Sequence, residues 1–222
     1  MQRFFTVLIL ITGGLMLTSC TTEKGAKEKN PFFSDYGTPF ETPTFNKIEE
    51  EHFLPAIKKG IKVHKQEIEA IVNNTSEPTF DNVIIPLEKS GRLLDKANSV
   101  LGNLNSAHTN DRIQEIKKKT TPMLSKHYDD IMLNDELFAK IKQVYKHQDE
   151  LELGQEDKKV LQEYYEDFIR NGANLPSDKK ARLKEINEKL SSMMVQFGEN
   201  VLKETNKFKM VIKDKENLAG LP

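Results

Sequence analysis

From about Lys47 onward, hydrophobic residues recur every three or four positions, a period that predicts helix after helix. Ile57, Ile61, Ile68 and Ile71 share one face of a first helix, and His64 falls within the same stripe. Thr79 is placed to cap a second, with Val83, Leu87, Leu94, Leu101 and Leu104 on its face and Pro86 near its start, where proline is tolerated. Asn110 is placed to cap a third, carrying Ile113, Ile116, Met123, Leu124 and Ile131, with a kink or break near Pro122. Asn134 opens a short fourth with Leu137, Ile141 and Val144. A fifth, from about Gln155 to Asn171, presents Val160, Leu161, Tyr164, Phe168 and Ile169 and stops at Gly172. The sixth is the longest. Ser177 caps it, and Leu183, Ile186, Leu190, Met193, Phe197 and Val201 step through about 30 residues, roughly 45 Å. A helix of that length needs neighbours along much of its course, which the preceding five are expected to supply. Phe208 to Ile212 alternates and favours a strand, whose partners are expected beyond Pro222. The fold class is all-α, a multi-helix body with a short strand at its C-terminal end.

The N-terminus departs from this pattern. Arg3 precedes an apolar run from Phe4 to Leu17, and Leu17-Thr-Ser-Cys20 has the form of a bacterial lipobox. The run is short for a membrane span, so residues 1–19 are expected to be a cleaved lipoprotein signal peptide, with Cys20 lipidated. Cys20 is the sole cysteine, which leaves no disulfide framework. Residues 20–33 read as the lipidated cysteine and a flexible tether, and 34–222 as the helical region. Between Pro31 and Phe45, three prolines forbid a long helix, and Phe32, Phe33 and Tyr36 are expected to lie on the helical body. The localisation that follows is an exported bacterial lipoprotein, membrane-anchored through its lipid on the periplasmic side or in the cell envelope.

Charge narrows the partners. Without residues 1–19 the chain loses one basic residue, leaving 32 basic against 34 acidic, net −2. Acidic and basic residues are interspersed, so nucleic acid is not an expected partner.

Little in the chain carries chemistry. None of the five histidines begins His-Glu-x-x-His, no two stand four apart, and the inverted zinc motif is absent as well. No serine nucleophile elbow or glycine-rich phosphate loop occurs. His52 beside Glu49 and Glu50 has the wrong spacing for a metal site. His127 and Asp130 stand one turn apart and suit a local hydrogen bond. His64 reads as a partly buried core histidine, and Asn171-Gly-Ala-Asn174 as a helix stop. Of Met193 and Met194, one is expected in the core and the other exposed. The catalytic and metal-ligand sets within this chain are therefore empty, and no substrate-binding residue is singled out.

A set of collinear segments points further. They are Asn30-Pro-Phe-Phe with Thr38-Pro-Phe, Glu51-His-Phe-Leu-Pro-Ala56, Pro78-Thr-Phe-Asp-Asn82, Leu87-Glu-Lys-Ser-Gly91 and Asn103-Leu-Asn-Ser-Ala107. Leu124-Ser-Lys-His127, Phe168-Ile-Arg-Asn-Gly-Ala-Asn-Leu175, Phe197-Gly-Glu-Asn-Val-Leu-Lys-Glu-Thr-Asn206 and Leu218-Ala-Gly-Leu-Pro222 complete it. Together they resemble the N-terminal helical region of the zinc metallopeptidase family of peptidyl-dipeptidase Dcp, oligopeptidase A and thimet oligopeptidase. The resemblance implies a largely helical two-lobed enzyme around a deep channel, with oligopeptide substrates and release of dipeptides from C-termini. It implies zinc as cofactor, held by a His-Glu-x-x-His helix beyond the matched region. On this reading the chain is about the first third of such an enzyme, truncated at Pro222 and inactive by itself. The alternative is a stand-alone helical lipoprotein that binds peptides or a partner without catalysis.

Overall fold

The structure, a computed structural model, describes residues 30–220. The expected signal segment 1–19, Cys20 and the tether as far as residue 29 lie outside the described residues, as do Leu221 and Pro222. Within them run seven α-helices: α1 Glu50–Val72, α2 Ile85–Lys89, α3 Arg92–Ala107, α4 Asp111–Met132, α5 Asp135–Lys146, α6 Gln155–Arg170 and α7 Ser177–Lys207. The all-α expectation is met. No strand is present among the described residues, and Phe208 to Ile212 follows α7 as irregular chain. An isolated strand has no ladder to join, so the alternating pattern finds no partner within residues 30–220.

Local signals placed most boundaries. Asn110 Oδ1 accepts the Ile113 N–H at 2.9 Å, and Asn134 Oδ1 accepts that of Leu137 at 2.8 Å, each satisfying a free donor of a first turn. At the start of α1, Glu49 and His52 exchange side-chain and backbone bonds in a capping box. Ser177 was the expected cap of the last helix, but it is the first helical residue, and the cap is Pro176, whose carbonyl accepts from Lys180 N. Proline serves there because a cap needs only its carbonyl, not an N–H.

Two expectations about breaks fail in opposite directions. The single helix expected from Thr79 is three pieces: a π-turn at Phe80–Ile84, then α2, then α3 after a break at Ser90–Gly91. Gly91 has φ +76, and a Cβ there would come within 2.9 Å of the His64 ring. The break is thus imposed by what α1 presses against it, which helical spacing does not reveal. The expected kink or break near Pro122 does not interrupt α4, which stays helical through it. Buried Thr120 and Leu124 fix the helix on either side of the missing donor.

The core has two parts. One gathers Phe32, Phe53, Ile57, Leu94, Leu101, Ile113 and Ile116 between the first half of α1, α3 and the start of α4. The other gathers Ile68, Ile84, Ile131, Leu137, Ile141, Leu161 and Phe168 between the second half of α1, α2, α5, α6 and the end of α4. Phe32 lies 5.3 Å from Phe53, centroid to centroid, and so draws the proline-rich segment onto the body as expected. Phe33 and Tyr36 lie under the ammonium groups of Lys59 and Lys96, whereas Phe40 points fully into solvent.

Helices α1 and α3 meet closely at Gly60, where a Cβ would stand 2.7 Å from the Cα of Leu94. Gly102, in contrast, faces open space. Gly60→Ala is expected to destabilise the chain by about 1–3 kcal/mol through overpacking. Gly102→Ala is expected to stabilise it by about 0.5–1 kcal/mol through helix propensity. Urea unfolding of both variants checks the pair.

Candidate functional site on the outward face of helix α7

Helix α7 packs along α4 with its polar side. Lys180, 6% exposed, donates to the Leu133 carbonyl and to Asp135 at the turn between α4 and α5. One turn on, Lys184 bonds Asp130 at 2.6 Å, and Asn187 donates to Asp129 at 2.8 Å. Near the other end, Lys118 of α4 meets Glu199 at 2.8 Å. The contacts run in opposite order along the two helices, so α7 lies antiparallel to α4. Burial pushes the Asp129 carboxyl up, and the Asn187 bond holds it partly back.

The apolar stripe faces the other way. Ile186, Leu190, Met193, Met194, Phe197 and Val201 are all exposed, Phe197 to 71%. An amphipathic helix ordinarily turns that side inward, and here the relation is reversed. The neighbour expected along much of α7 is supplied by α4, but against the polar side of α7; the expectation of one buried methionine is overturned, since Met193 and Met194 are 65% and 66% exposed. The reason is that the α4 surface offered to α7 carries Asp129, Asp130 and Lys118, which match charges and amides instead of side chains without polar atoms. Beyond Lys207 the exposed apolar surface continues through Phe208, Met210 and Val211.

At the far end, a cleft of about 320 Å³ opens between α3, α4 and α7, lined among others by Thr109, Lys117, Met194 and Glu199. Glu199 is 9% exposed, and its Oε1 has no hydrogen-bond partner among the described residues; neither has the buried Thr109 hydroxyl. Burial pushes the Lys117 ammonium pKa down. This arrangement suits packing and binding; it places no nucleophile beside a base.

The histidines lie elsewhere. His52 caps α1 and makes no metal cluster. His127 does not bond Asp130, which Lys184 takes; instead His127 Nε2 lies 3.0 Å from His64 Nδ1, inside the body. His64 Nε2 is 3.1 Å from Ser90 Oγ, which itself donates to the Leu87 carbonyl at 2.7 Å. Ser90 therefore accepts from His64 Nε2–H, leaving His64 Nδ1 bare to accept from His127 Nε2–H. Glu67 closes the junction by accepting from Gly91 N at 2.8 Å. The 63-residue separation of the two histidines hid this pair from pattern reading. Among the described residues no three His, Cys, Asp or Glu side chains are grouped to hold a metal ion, so the residues present do not fit zinc.

No family model matches the chain. Over 192 residues, 86% of the chain, it is 34% identical to the dipeptidyl carboxypeptidase of Salmonella typhimurium and 33% identical to that of Escherichia coli. It is also 29% identical over 185 residues to oligopeptidase A of Escherichia coli. The chain is a relative of these peptidases. It spans only 28% of the length of each dipeptidyl carboxypeptidase and 27% of that oligopeptidase A. A chain matched over most of its own length, but little of theirs, corresponds to one region of those larger proteins. Their names describe peptide cleavage, while the features resolved here are a helical scaffold and an uncovered helix face.

The signal for that face was present in the sequence, since Lys180, Lys184, Asn187, Ser191 and Glu199 mark a polar stripe opposite the apolar one. Which stripe turns inward depends on α4. Sequence reading missed the roles of Lys180, Glu199 and Lys118 for this reason.

The histidine pair makes stability depend on pH. Burial, reinforced by the neighbouring His64, lowers His127 from 6.5 to about 4; Asp130 opposes the shift and Lys65 adds to it. Burial also lowers His64, against Glu67 and Asp95. Below pH 6.5 the unfolded chain takes up protons that the native pair refuses, so this stability is full above that value and declines as pH falls towards 4. His127→Gln keeps an N–H donor without the titration. Its melting temperature is expected to fall less than that of the native chain between pH 7.5 and 5, as measured by thermal circular dichroism.

Proposed function

We propose that this chain is the N-terminal helical part of a zinc-dependent oligopeptidase of the peptidyl-dipeptidase kind, and that its helices build one wall of a channel for short unfolded peptides. The observation that carries this reading is the relationship to dipeptidyl carboxypeptidases across 86% of the chain. The outward apolar face of α7 supports it, because a helix attached by its polar side is ready to receive another layer of protein. On this reading the remainder of the enzyme covers α7 and supplies the zinc site. A zinc ion held by that remainder would supply the water activation that peptide hydrolysis needs, and no residue described here is assigned to hold it. The residues of this chain shape the channel and support the covering layer. Oligopeptides are the substrates, cleaved so that dipeptides leave from their C-termini.

The test is reconstitution. The full chain is mixed with the part of the Escherichia coli dipeptidyl carboxypeptidase that follows its matched region, and zinc-dependent dipeptide release is assayed on a blocked pentapeptide. The corresponding first part of the relative serves as the positive control. Neither component alone is expected to turn over, and the mixture is. Turnover by the chain alone, or no rescue where the control rescues, overturns the reading.

We further propose that residues 1–19 are a signal peptide and that a lipid on Cys20 tethers the protein to a membrane of the cell envelope. Cys20→Ala is expected to move the protein from the membrane to the soluble fraction or to leave an unprocessed precursor. Unchanged membrane recovery after carbonate washing counts against the anchor.

A further inference from the structure

The residues of the open stripe on α7 are not scattered. Ile186, Leu190, Met193 and Phe197 are spaced four, three and four apart, and half-buried Leu183 stands three positions before them. That is the seam of a coiled coil, in which each side chain enters a hole formed by four residues of a facing helix. Met194 and Val201 widen the seam on one edge. The other edge is basic. Arg182, Lys189, Gln196 and Lys203 follow one another at intervals of seven, all exposed, so three of the four positions are basic. Glu185 takes Arg182 at 2.8 Å, whereas Lys189 and Lys203 make no ion pair among the described residues.

We infer that this face is the docking seam for one amphipathic helix with an acidic flank, which belongs to the remainder of a longer enzyme. The inference rests on the proposed function for the source of that helix. Its geometry comes from α7 itself. A strand or loop leaves a three-four seam unfilled, because its side chains do not repeat with the helical period. A second copy of α7 brings the same unpaired lysines and adds like charges beside the seam. An acidic-flanked helix instead meets Lys189 and Lys203 with opposite charge. The roughly 45 Å length of α7 gives such a partner several turns of contact. The relatives, of which this chain spans 28%, carry ample further sequence to provide it.

The probe is a synthetic four-heptad peptide with leucine at the seam positions and glutamate on both flanks, labelled with fluorescein. Its twin carries lysine on the flanks. Binding to the full chain is followed by anisotropy at low salt. The acidic peptide is expected to bind at least about ten-fold more tightly than its twin, as charge complementarity sets partner choice. Lys189→Glu with Lys203→Glu is expected to reverse that order. Leu190→Asp and Phe197→Asp, at exposed positions outside both cores, are expected to abolish binding of either peptide with unchanged circular dichroism. The relative's remainder used in the reconstitution is expected to displace the acidic peptide.

Failure of both peptides to bind, or equal affinity for the two, overturns the inference. So does a dimer seen by sedimentation that Leu190→Asp dissolves, which would make a second copy the occupant. Reconstituted activity without peptide binding removes only the helical occupant. Peptide binding with failed reconstitution removes the peptidase reading and leaves the seam.

Discussion

Helices α1 and α4 cross the body side by side, and each serves both apolar clusters. Ile57 and Ile68 lie in different clusters although they share α1, and Leu124 and Ile131 do the same on α4. The other helices from α2 to α6 complete one cluster or the other. Between the two clusters the stripe on each long helix is interrupted by a histidine, and those two histidines bond each other. Apolar contacts alone tolerate sliding, but sliding here would leave an imidazole N–H buried without an acceptor. Such a group costs about 1–3 kcal/mol. The pair therefore fixes the register of the two helices on which both cores depend. It also reaches Ser90 and so holds the break between α2 and α3 where Gly91 fits beneath the ring.

The attachment of α7 follows different physics. Its polar contacts with α4 and the neighbouring turn are ion pairs and an amide hydrogen bond, several of them half open to water, where a pair contributes about 0–1 kcal/mol. Each large apolar side chain left outside would add about 1.5–3 kcal/mol on full burial. The larger part of the stabilisation that α7 can gain is thus still unclaimed on its outer side. This difference gives the outward face its meaning as an interface. Single exposed apolar residues are ordinary on a surface, but six along one helix form a continuous patch of the kind found where proteins meet. The Oε1 of Glu199 and the Thr109 hydroxyl, beside the cleft at the same end, have no hydrogen-bond partner among the described residues.

Much of the fold was legible in the chain. Apolar periodicity located the long helices, and asparagine caps placed the starts of α4 and α5, because both signals act within a few residues. Gly172, at φ +96, ends the run after α6 as its lack of a Cβ allows. Errors arose wherever a distant element decided the outcome. The break at Gly91 depends on His64, 27 positions earlier. A kink or break was expected near Pro122, yet α4 continues as helix through it between buried Thr120 and Leu124.

The site shows the same division more sharply. By itself, the sequence determined an all-α chain with two opposed stripes on its last long helix, and its collinear segments carried the relationship to peptidases. Periodicity states only that the stripes are opposite; it does not state which one faces the body. The tertiary structure decided that, because α4 presents aspartates and a lysine where α7 lies down, and unpaired charges against an apolar stripe would lose their hydration without compensation. The pairing of His64 with His127 was equally a tertiary decision, since only the packing of α1 on α4 brings two distant rings within 3.0 Å.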